Sequence, residues 1–310
     1  MRNAFSNYLT SLAKTDERIV LLMGDIGNRM FDDFKKVDPN RFINCGIAES
    51  NMMSMAAGLA LNGLKPFVYT ITPFVTLRCL EQIRTSVSYH DASVIIVGTG
   101  SGISYAELGP THHSLDDIGL LNMVPNLNIF TPSDPIQVTQ CIDDALDVKS
   151  PSYIRLGKKG EPLIEVVNNE INSPTSQFLN SGERSIILTY GPIVNEAITA
   201  ANKLKKVNIN TAVASIRRIL PLDKEFYKKL ILKNFVNWYI VEEHYEKGGL
   251  YSILLQWLYE ENLLEKINLK SLSFKHQFIH ELGKQDYIRE NNHLDNKGIF
   301  EQIKNNENRN

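Results

Sequence analysis

The sequence predicts an α/β protein made of two domains, each with a mainly parallel sheet. Short apolar, strand-like runs alternate with helical patterns along most of the 310 residues, and that alternation is typical of parallel sheets covered by helices. The length allows two separate cores. Because the alternation breaks into polar and Pro-containing sequence between Gly157 and Gly182, we predict a first domain over 1–165, a linker over 166–182 and a second domain over 183–310.

Each predicted strand is a short apolar run bounded by turn residues. In the first domain the strands cover residues 19–23, 42–44, 66–71, 94–97, 128–131 and 152–156. In the second domain they cover 185–189, 211–215 and 236–242, and one more strand is predicted near the linker at 163–167.

The predicted helices lie between these strands, where apolar residues recur at a spacing of three and four. They fall near residues 2–14, 50–62, 74–89, 116–123 and 134–147, and then near 193–206, 223–232 and 249–261. The Asn-rich end, residues 305–310, is predicted to be a frayed tail.

The composition is that of an ordinary globular protein, with 43% hydrophobic and 22% charged residues. A formal net charge of −2 gives no electrostatic reason to expect a nucleic-acid partner. The N-terminus lacks the apolar core of a signal peptide and no apolar run approaches a membrane span, so we expect a cytoplasmic protein with no membrane partner. The three cysteines lie far apart in the sequence and indicate neither a disulfide framework nor a zinc site.

Glu49 stands at the start of the helix predicted over 50–62, which contains almost no charge and is therefore expected to be buried. The positive end of the helix dipole accepts a carboxylate at this place, whereas apolar surroundings favour the protonated form. A carboxyl group under both influences can exchange a proton. On its own, however, such a residue most simply stabilises its helix.

Three loops that follow predicted strands carry unusual residues, and ligands of open parallel sheets bind beyond those strand ends. Glu49 follows the strand at 42–44, Phe74 follows the strand at 66–71, and the pair His112-His113 ends a Gly-rich loop. Together they predict one pocket with a carboxyl, an aromatic ring and histidines. Taken singly, Phe74 could be a core residue. The adjacent histidines point apart in an extended loop, which argues against a metal site.

Short motifs that occur in a fixed order carry a resemblance to a known family. They are Arg41-Phe42, Gly46-Ile47-Ala48-Glu49, Phe74 with Arg78, Gly109-Pro110-Thr111-His112, Asp116-Asp117, Pro132-Ser133-Asp134, Tyr153-Ile154-Arg155-Leu156-Gly157, Glu242-Glu243-His244 and Gly248-Gly249-Leu250. In this order they resemble the C-terminal half of transketolase, over almost the entire chain. The resemblance implies a thiamine-diphosphate-binding fold of the pyrimidine-binding type, followed by a transketolase C-terminal-like domain.

The resemblance also implies roles for the site residues in transfer of a two-carbon ketol unit from a ketose to an aldehyde sugar or sugar phosphate. The family Glu that matches Glu49 hydrogen-bonds N1′ of the aminopyrimidine, which favours the imino tautomer whose N4′ removes the thiazolium C2 proton. Phe74 would stack on the pyrimidine ring. Ile47 and Arg78 would lie in the same cofactor site, and His112 would face the reacting carbon.

The resemblance covers only half of the cofactor site. The family binds the diphosphate and Mg²⁺ with an N-terminal domain that carries Gly-Asp-Gly and, much later, Asn-Asn. Gly24-Asp25-Ile26 lacks the second Gly, and the Asn pairs of this chain stand in no fitting context. We therefore expect the chain to begin after that domain and predict no metal ligands in it. A partner subunit would supply the missing domain in an α2β2 assembly.

Three departures from the family concern the sugar substrate. Leu108 replaces an Asp that reads a substrate hydroxyl, and Thr99-Gly100 replaces a His-Asp pair. Lys158 replaces the Arg that grips the acceptor phosphate, so it can pair as a point charge but not as a bidentate fork. The predicted substrate-binding residues are His112, His113, Leu108 and Lys158. Donor and acceptor preferences are expected to differ from those of the pentose-phosphate enzyme.

Other activities of the same fold stay open. The β subunit of a 2-oxo acid dehydrogenase or decarboxylase shares the split architecture and the activating Glu, although its matching loop lacks Gly-Pro-Thr-His-His. A synthase that condenses pyruvate with an aldehyde, as in deoxyxylulose phosphate synthesis, is a second alternative. A non-catalytic paralogue is a third, and the joint retention of Glu49, Phe74 and His112 argues against it.

Overall fold

The computed structural model describes residues 1–27 and 29–308, which form two β-sheets with helices packed around them. The strands are β1 (Ile19–Met23), β2 (Phe42–Asn44), β3 (Lys65–Ile71), β4 (Ile95–Thr99), β5 (Asn128–Phe130), β6 (Ser152–Leu156), β7 (Ser176–Asn180), β8 (Ser185–Thr189), β9 (Thr211–Ile216), β10 (Arg218–Leu220), β11 (Asn237–Tyr245) and β12 (Asn268–Phe274). The predicted fold class, with two sheets of mainly parallel strands, is confirmed.

Helices cover the sheets. They are α1 (Arg2–Ala13), α2 (Asp32–Val37), α3 (Glu49–Leu61), α4 (Thr72–Val75), α5 (Leu80–Gln82), α6 (Asp117–Asn122), α7 (Pro135–Val148), α8 (Val194–Lys205), α9 (Lys224–Leu232), α10 (Leu250–Glu260), α11 (Gln285–Asn291) and α12 (Asn296–Glu307). A π-helical turn, Ile83–Ser88, follows α5, and short 3-10 turns include Ala106–Leu108.

The first sheet has seven strands in the order β10-β5-β6-β4-β3-β1-β2. All neighbours are parallel except β10, which pairs antiparallel with β5. The central strands are buried on both faces, as the continuous apolar run of β1 requires. Because these strands are parallel, the C-terminal ends of β2, β3 and β4 lie on the same side of the sheet, where the loops that follow them can meet.

The second sheet has five strands in the order β12-β11-β8-β9-β7, and only β7 runs antiparallel to its neighbour. The two sheets are joined by more than the connecting segment. One apolar cluster contains buried side chains of both halves, among them Val68 and Ile96 from the first and Trp238 and Leu254 from the second. The short strand β10 also comes from the second half of the sequence and extends the first sheet.

Several predicted elements differ from the structure at sheet edges. The strand predicted at 163–167 is wrong, because this segment is irregular and its Ile164 N–H donates to the Asp134 carboxylate instead of a ladder. Three edge strands were missed, namely β7 within the predicted linker, β10 and β12. Edge strands carry polar side chains in place of a continuous apolar run, so their sequence signal is weak.

The helix predictions needed three corrections. The helix predicted over 74–89 is broken into α4, α5 and the π-helical turn. α2, α11 and α12 were missed. α12 includes residues 305–307 of the predicted frayed tail, and its Glu307 carboxylate accepts hydrogen bonds from Tyr239 and Ser185, whereas residues 309 and 310 of that tail lie outside the described residues. α3 was expected to be buried throughout, but it is exposed along one side at Asn51, Ser54, Gly58 and Leu61.

Candidate active site

The candidate site lies beyond the C-terminal ends of three strands of the first sheet. Glu49 begins α3 just after β2, Phe74 lies in α4 directly after β3, and His112 lies in the long loop after β4. The open N–H groups at the start of α3 suit a carboxylate. These loops come from one edge of a parallel sheet, so residues far apart in sequence meet there.

Glu49 is almost completely buried, with 4% of its surface exposed. Its Oε2 accepts a hydrogen bond from Arg78 Nη1 at 2.8 Å, and the Arg78 side chain is itself half exposed. Within residues 1–27 and 29–308, Arg78 is the only hydrogen-bond partner of this carboxyl group. The prediction of apolar surroundings for Glu49 therefore needs a correction, since the Arg78 guanidinium lies against the carboxyl group.

Arg78 also links the carboxyl to the aromatic ring. Its guanidinium carbon lies 4.4 Å from the centroid of the Phe74 ring, in a cation–π contact. The Phe74 ring meets the His112 ring edge to face, with centroids 5.2 Å apart. Burial lowers the pKa of His112, so its neutral form is favoured near pH 7. Glu49, Arg78, Phe74 and His112 thus form one continuous chain of contacts, which we call the open cluster.

Tyr105 extends this chain of contacts towards Lys158. The rings of Tyr105 and His112 lie 6.3 Å apart, and Lys158 Nζ lies 4.9 Å from the centroid of Tyr105. Lys158 Nζ also pairs with Glu107 Oε2 at 3.4 Å. Arg2 Nη1 donates to the Tyr105 hydroxyl at 3.4 Å. Neither Tyr105 nor Arg2 was predicted, and an aromatic residue inside a Gly-rich loop was the available signal.

Besides Lys158, three predicted site residues lie outside the open cluster. Ile47 projects into solvent, with 86% of its surface exposed, and Leu108 is exposed at the end of a 3-10 turn. His113 is buried, and its Nε2 has no hydrogen-bond partner among the residues that the structure describes. Burial is the main cause of the lowered pKa of His113, which the nearby Glu243 partly offsets. The two histidines therefore do point apart.

A buried ionic network lies beneath the loop that bears His112, where the two sheets meet. Asp117 Oδ2 accepts hydrogen bonds from Arg155 Nε and from the Tyr153 hydroxyl, both at 2.7 Å. Arg155 Nη2 donates to the carbonyl oxygens of Ser114 and Glu243, at 2.7 and 3.0 Å. Burial opposes ionisation of Asp117, but the Arg155 charge outweighs it and the pKa of Asp117 is lowered. We call these residues the junction network.

The open cluster fits one end of a flat heteroaromatic cofactor. A buried carboxyl whose second oxygen is not engaged can share a proton with a ring nitrogen, and an aromatic side chain beside it offers a stacking surface. Within the described part of the chain, no group of three or more His, Cys, Asp or Glu side chains is arranged to hold a metal ion. No described helix is both long and apolar enough to span a membrane.

Family models match both halves of the chain. The model for "Transketolase, pyrimidine binding domain" matches residues 1–161, and the model for "Transketolase, C-terminal domain" matches residues 175–296.

Individual relatives agree with these matches. The chain is 34% identical over 261 residues to a subunit of the apulose-4-phosphate transketolase of Phocaeicola vulgatus, covering 84% of this chain and 83% of that protein. It is 31% identical over 234 residues to the 6-deoxy-6-sulfo-D-fructose transketolase subunit SqwH of Clostridium sp. strain MSTE9, covering 75% and 73%. A solved structure described as "Split gene transketolase, inactive beta4 tetramer" aligns with a TM-score of 0.84 at 29% identity, covering 98% of this chain and 96% of that one.

Proposed function

The chain belongs to the transketolase family, and from that premise we propose that it is the C-terminal subunit of a split transketolase. It transfers a two-carbon ketol unit from a ketose donor to an aldehyde acceptor, with thiamine diphosphate as cofactor. The observation that carries this proposal is the open cluster, since Glu49, Phe74 and His112 converge from three separate loops through contacts of 2.8 to 5.2 Å.

In this proposal, residues of the open cluster hold the pyrimidine end of the cofactor. When bound, thiamine diphosphate supplies a thiazolium carbon that can carry the negative charge of the transferred unit. Glu49 holds a proton at N1′ of the pyrimidine, and its burial excludes water from that proton. Phe74 offers its ring for stacking. Arg78 orients the Glu49 carboxyl, and the exposed Ile47 covers the ring once the partner subunit is in place.

His112 and its neighbours serve the substrate side. The lowered pKa of His112 leaves an imidazole that is neutral near pH 7 and can accept a proton from a substrate hydroxyl. Lys158 and the exposed Leu108 are proposed to contact the sugar, and the buried His113 supports the loop that carries Leu108. The names of two relatives specify anionic sugars, a phosphate and a sulfonate. We propose the same general class here.

A partner subunit is proposed to supply the diphosphate-binding domain and to hold Mg²⁺, in an α2β2 assembly. One supporting observation is the exposed side of α3, which bears no charged residue. It consists of Asn51, Ser54, Gly58 and Leu61. A neutral surface of small residues allows close approach of another chain. The names of the relatives, which specify subunits, and the split-gene structure give further support. A cytoplasmic location stays a prediction.

The test is reconstitution with a subunit that carries the diphosphate-binding domain. We expect thiamine-diphosphate-dependent ketol transfer without carbon dioxide release, and a loss of about 100-fold or more in kcat for Glu49→Gln, because a positioned proton-transfer group contributes that much. Unchanged melting temperature of the variant is the control for folding.

Three other outcomes would each contradict the proposal. Release of carbon dioxide from a 2-oxo acid would indicate the dehydrogenase subunit or the condensing synthase. Full activity of Glu49→Gln would indicate a non-catalytic chain. Turnover by this chain alone would exclude the split site.

A further inference from the structure

A cleft of about 700 Å³ lies between the two domains. Its walls come from both halves of the chain. Glu107, Lys158 and Lys159 line it from the first domain, and Lys284 and Arg289 line it from the second. A volume of this size is in the range of small-molecule sites.

The cleft continues directly from the predicted substrate side of the site. Tyr105 contacts the His112 ring on one side and the Lys158 ammonium on the other. The neighbours of Tyr105 in sequence, Ser104 and Ala106, line the cleft. One aromatic side chain therefore separates the reacting end of the site from the charged cleft.

Each acidic group that lines the cleft lies within 4.0 Å of a cationic group, although Arg289 is shared by Glu196, Asp286 and Glu243. Glu107 pairs with Lys158, and Glu161 pairs with the N-terminal ammonium of Met1 at 2.7 Å. Glu196 and Asp286 both lie near Arg289 Nη1, at 3.7 and 4.0 Å. In contrast, Lys159 and Lys284 make no ion pair with any residue of 1–27 or 29–308. Two lysines on opposite walls are thus available to an anion.

Lys284 belongs to a segment that is fixed against the loop bearing His112. Directly after it, Gln285 donates to Glu243 Oε1 at 3.0 Å, and Arg289 Nε donates to the same oxygen at 2.7 Å. Glu243 packs on Gly102, where a Cβ atom would lie 2.2 Å from Glu243 Oε2. The position of Lys284 relative to the His112 loop is therefore set by buried contacts, although its own side chain is exposed.

We propose that Lys284 and Lys159 bind the terminal oxyanion of the sugar substrate, such as a phosphate, so that the C-terminal domain contributes a specificity residue. The proposal rests on the proposed function. Lys158 is partly neutralised by Glu107, and two unpaired ammonium groups supply the charge that this single lysine lacks. A substrate whose carbonyl end lies at His112 would extend past Tyr105 into the cleft.

The first experiment measures anion binding by the full chain without any partner. Inorganic phosphate is titrated at low ionic strength and followed by NMR, for the unmodified chain, Lys284→Gln and Lys159→Gln. We expect each substitution to weaken phosphate binding about three- to fivefold, the range for one solvent-exposed ion pair. The matched control is Lys270→Gln, at an exposed lysine on β12 that does not line the cleft. Equal affinity in Lys284→Gln and Lys270→Gln would overturn the proposal.

The second experiment uses the reconstituted enzyme and compares an aldose phosphate with the matching unphosphorylated aldose. Lys284→Gln should raise KM for the phosphate about three- to fivefold and leave KM for the neutral sugar and both kcat values unchanged. The difference should shrink as salt is added. An unchanged KM ratio would overturn the assignment to substrate even if phosphate binding is weakened. If no ketol transfer occurs at all, the proposed function fails, while the phosphate titration still tests the lysines.

Discussion

The open cluster and the junction network both hold charged residues near the loop that bears His112, but they differ in the number and the burial of the hydrogen bonds that those charges make. Asp117 Oδ1 of the junction network has no partner among the described residues. In the junction network, Arg155 and Asp117 are each 1% exposed, and every hydrogen bond between them and their neighbours measures 3.0 Å or less. In the open cluster, Glu49 has one hydrogen-bond partner within the described residues, and that partner is half exposed.

This difference distinguishes an ion pair that holds the structure in place from one that can open to bind a ligand. A buried ion pair with several hydrogen bonds has no alternative arrangement, because either charge alone would be left in a low dielectric. When an ion pair with one solvent-exposed member opens, water solvates that member, so the pair resists opening less than one in which both members are buried. The junction network therefore fixes the loop that carries His112, whereas the open cluster can exchange the Arg78 contact for a ligand.

The largest expected effect comes from breaking the junction network. Asp117→Asn keeps the shape of the side chain but removes the charge that balances Arg155. Because an unpaired guanidinium would stay buried, we expect the free energy of unfolding to fall by about 3–5 kcal/mol. Urea denaturation monitored by circular dichroism measures this change.

The control for Asp117→Asn is the same substitution at Asp33, which pairs with Lys36 on the surface. Ion pairs between exposed side chains contribute little to stability because water solvates both charges, so Asp33→Asn should be nearly neutral. Similar losses at the two positions would mean that burial does not distinguish the junction network from an ordinary surface pair.

The next effect should appear in catalysis without a change in stability. His112→Asn removes a proton acceptor from the open cluster, and we expect kcat of the reconstituted enzyme to fall about 100-fold, the lower range for a general acid or base. The melting temperature should stay within the error of the measurement. His90→Asn, at an exposed position on the same domain, is the matched control. A loss of stability in His112→Asn as large as in Asp117→Asn would assign His112 to structure.

The sequence predicted strand boundaries best where a strand is buried along its whole length. β1, β6 and β8 begin and end at the predicted residues, because strands covered on both faces appear as mainly apolar runs. β2 also matches its predicted bounds, although it is an edge strand and only partly buried. The edge strands β7, β10 and β12 lack such runs. Their pairing depends on partners distant in sequence, which a local pattern does not record.

The site, too, was predicted only in part. Glu49, Phe74 and His112 were predicted to share a pocket, and they lie in one chain of contacts. The junction network was missed, although an Arg in the middle of an apolar strand, at position 155, indicated a buried ion pair. The partner of such an Arg is set by tertiary packing, so Asp117 could not be chosen from its spacing.

A smaller effect concerns pH. Burial lowers the pKa of His113 in the folded state from 6.5, so the unfolded chain takes up a proton first as pH falls. The free energy of unfolding should therefore decrease from about pH 6.5 downwards and level off below the folded-state pKa of His113. His113→Asn should flatten this dependence between pH 7.5 and pH 5.5 in urea unfolding, with His90→Asn as control. An unchanged slope would contradict the assignment of His113 to a buried, uncharged position.

The smallest expected effect lies in the coupling between Glu49 and Arg78. A double-mutant cycle with Glu49→Gln, Arg78→Met and the combined variant measures the coupling energy between these two side chains, separately from the other effects of each substitution. Because the Arg78 side chain is half exposed, we expect a coupling of about 1 kcal/mol or less in the free energy of unfolding. A coupling above about 2 kcal/mol would be typical of a buried pair instead. Arg78 would then be fixed over Phe74. A cofactor ring could displace it only at a cost in folding free energy similar to that of breaking the junction network.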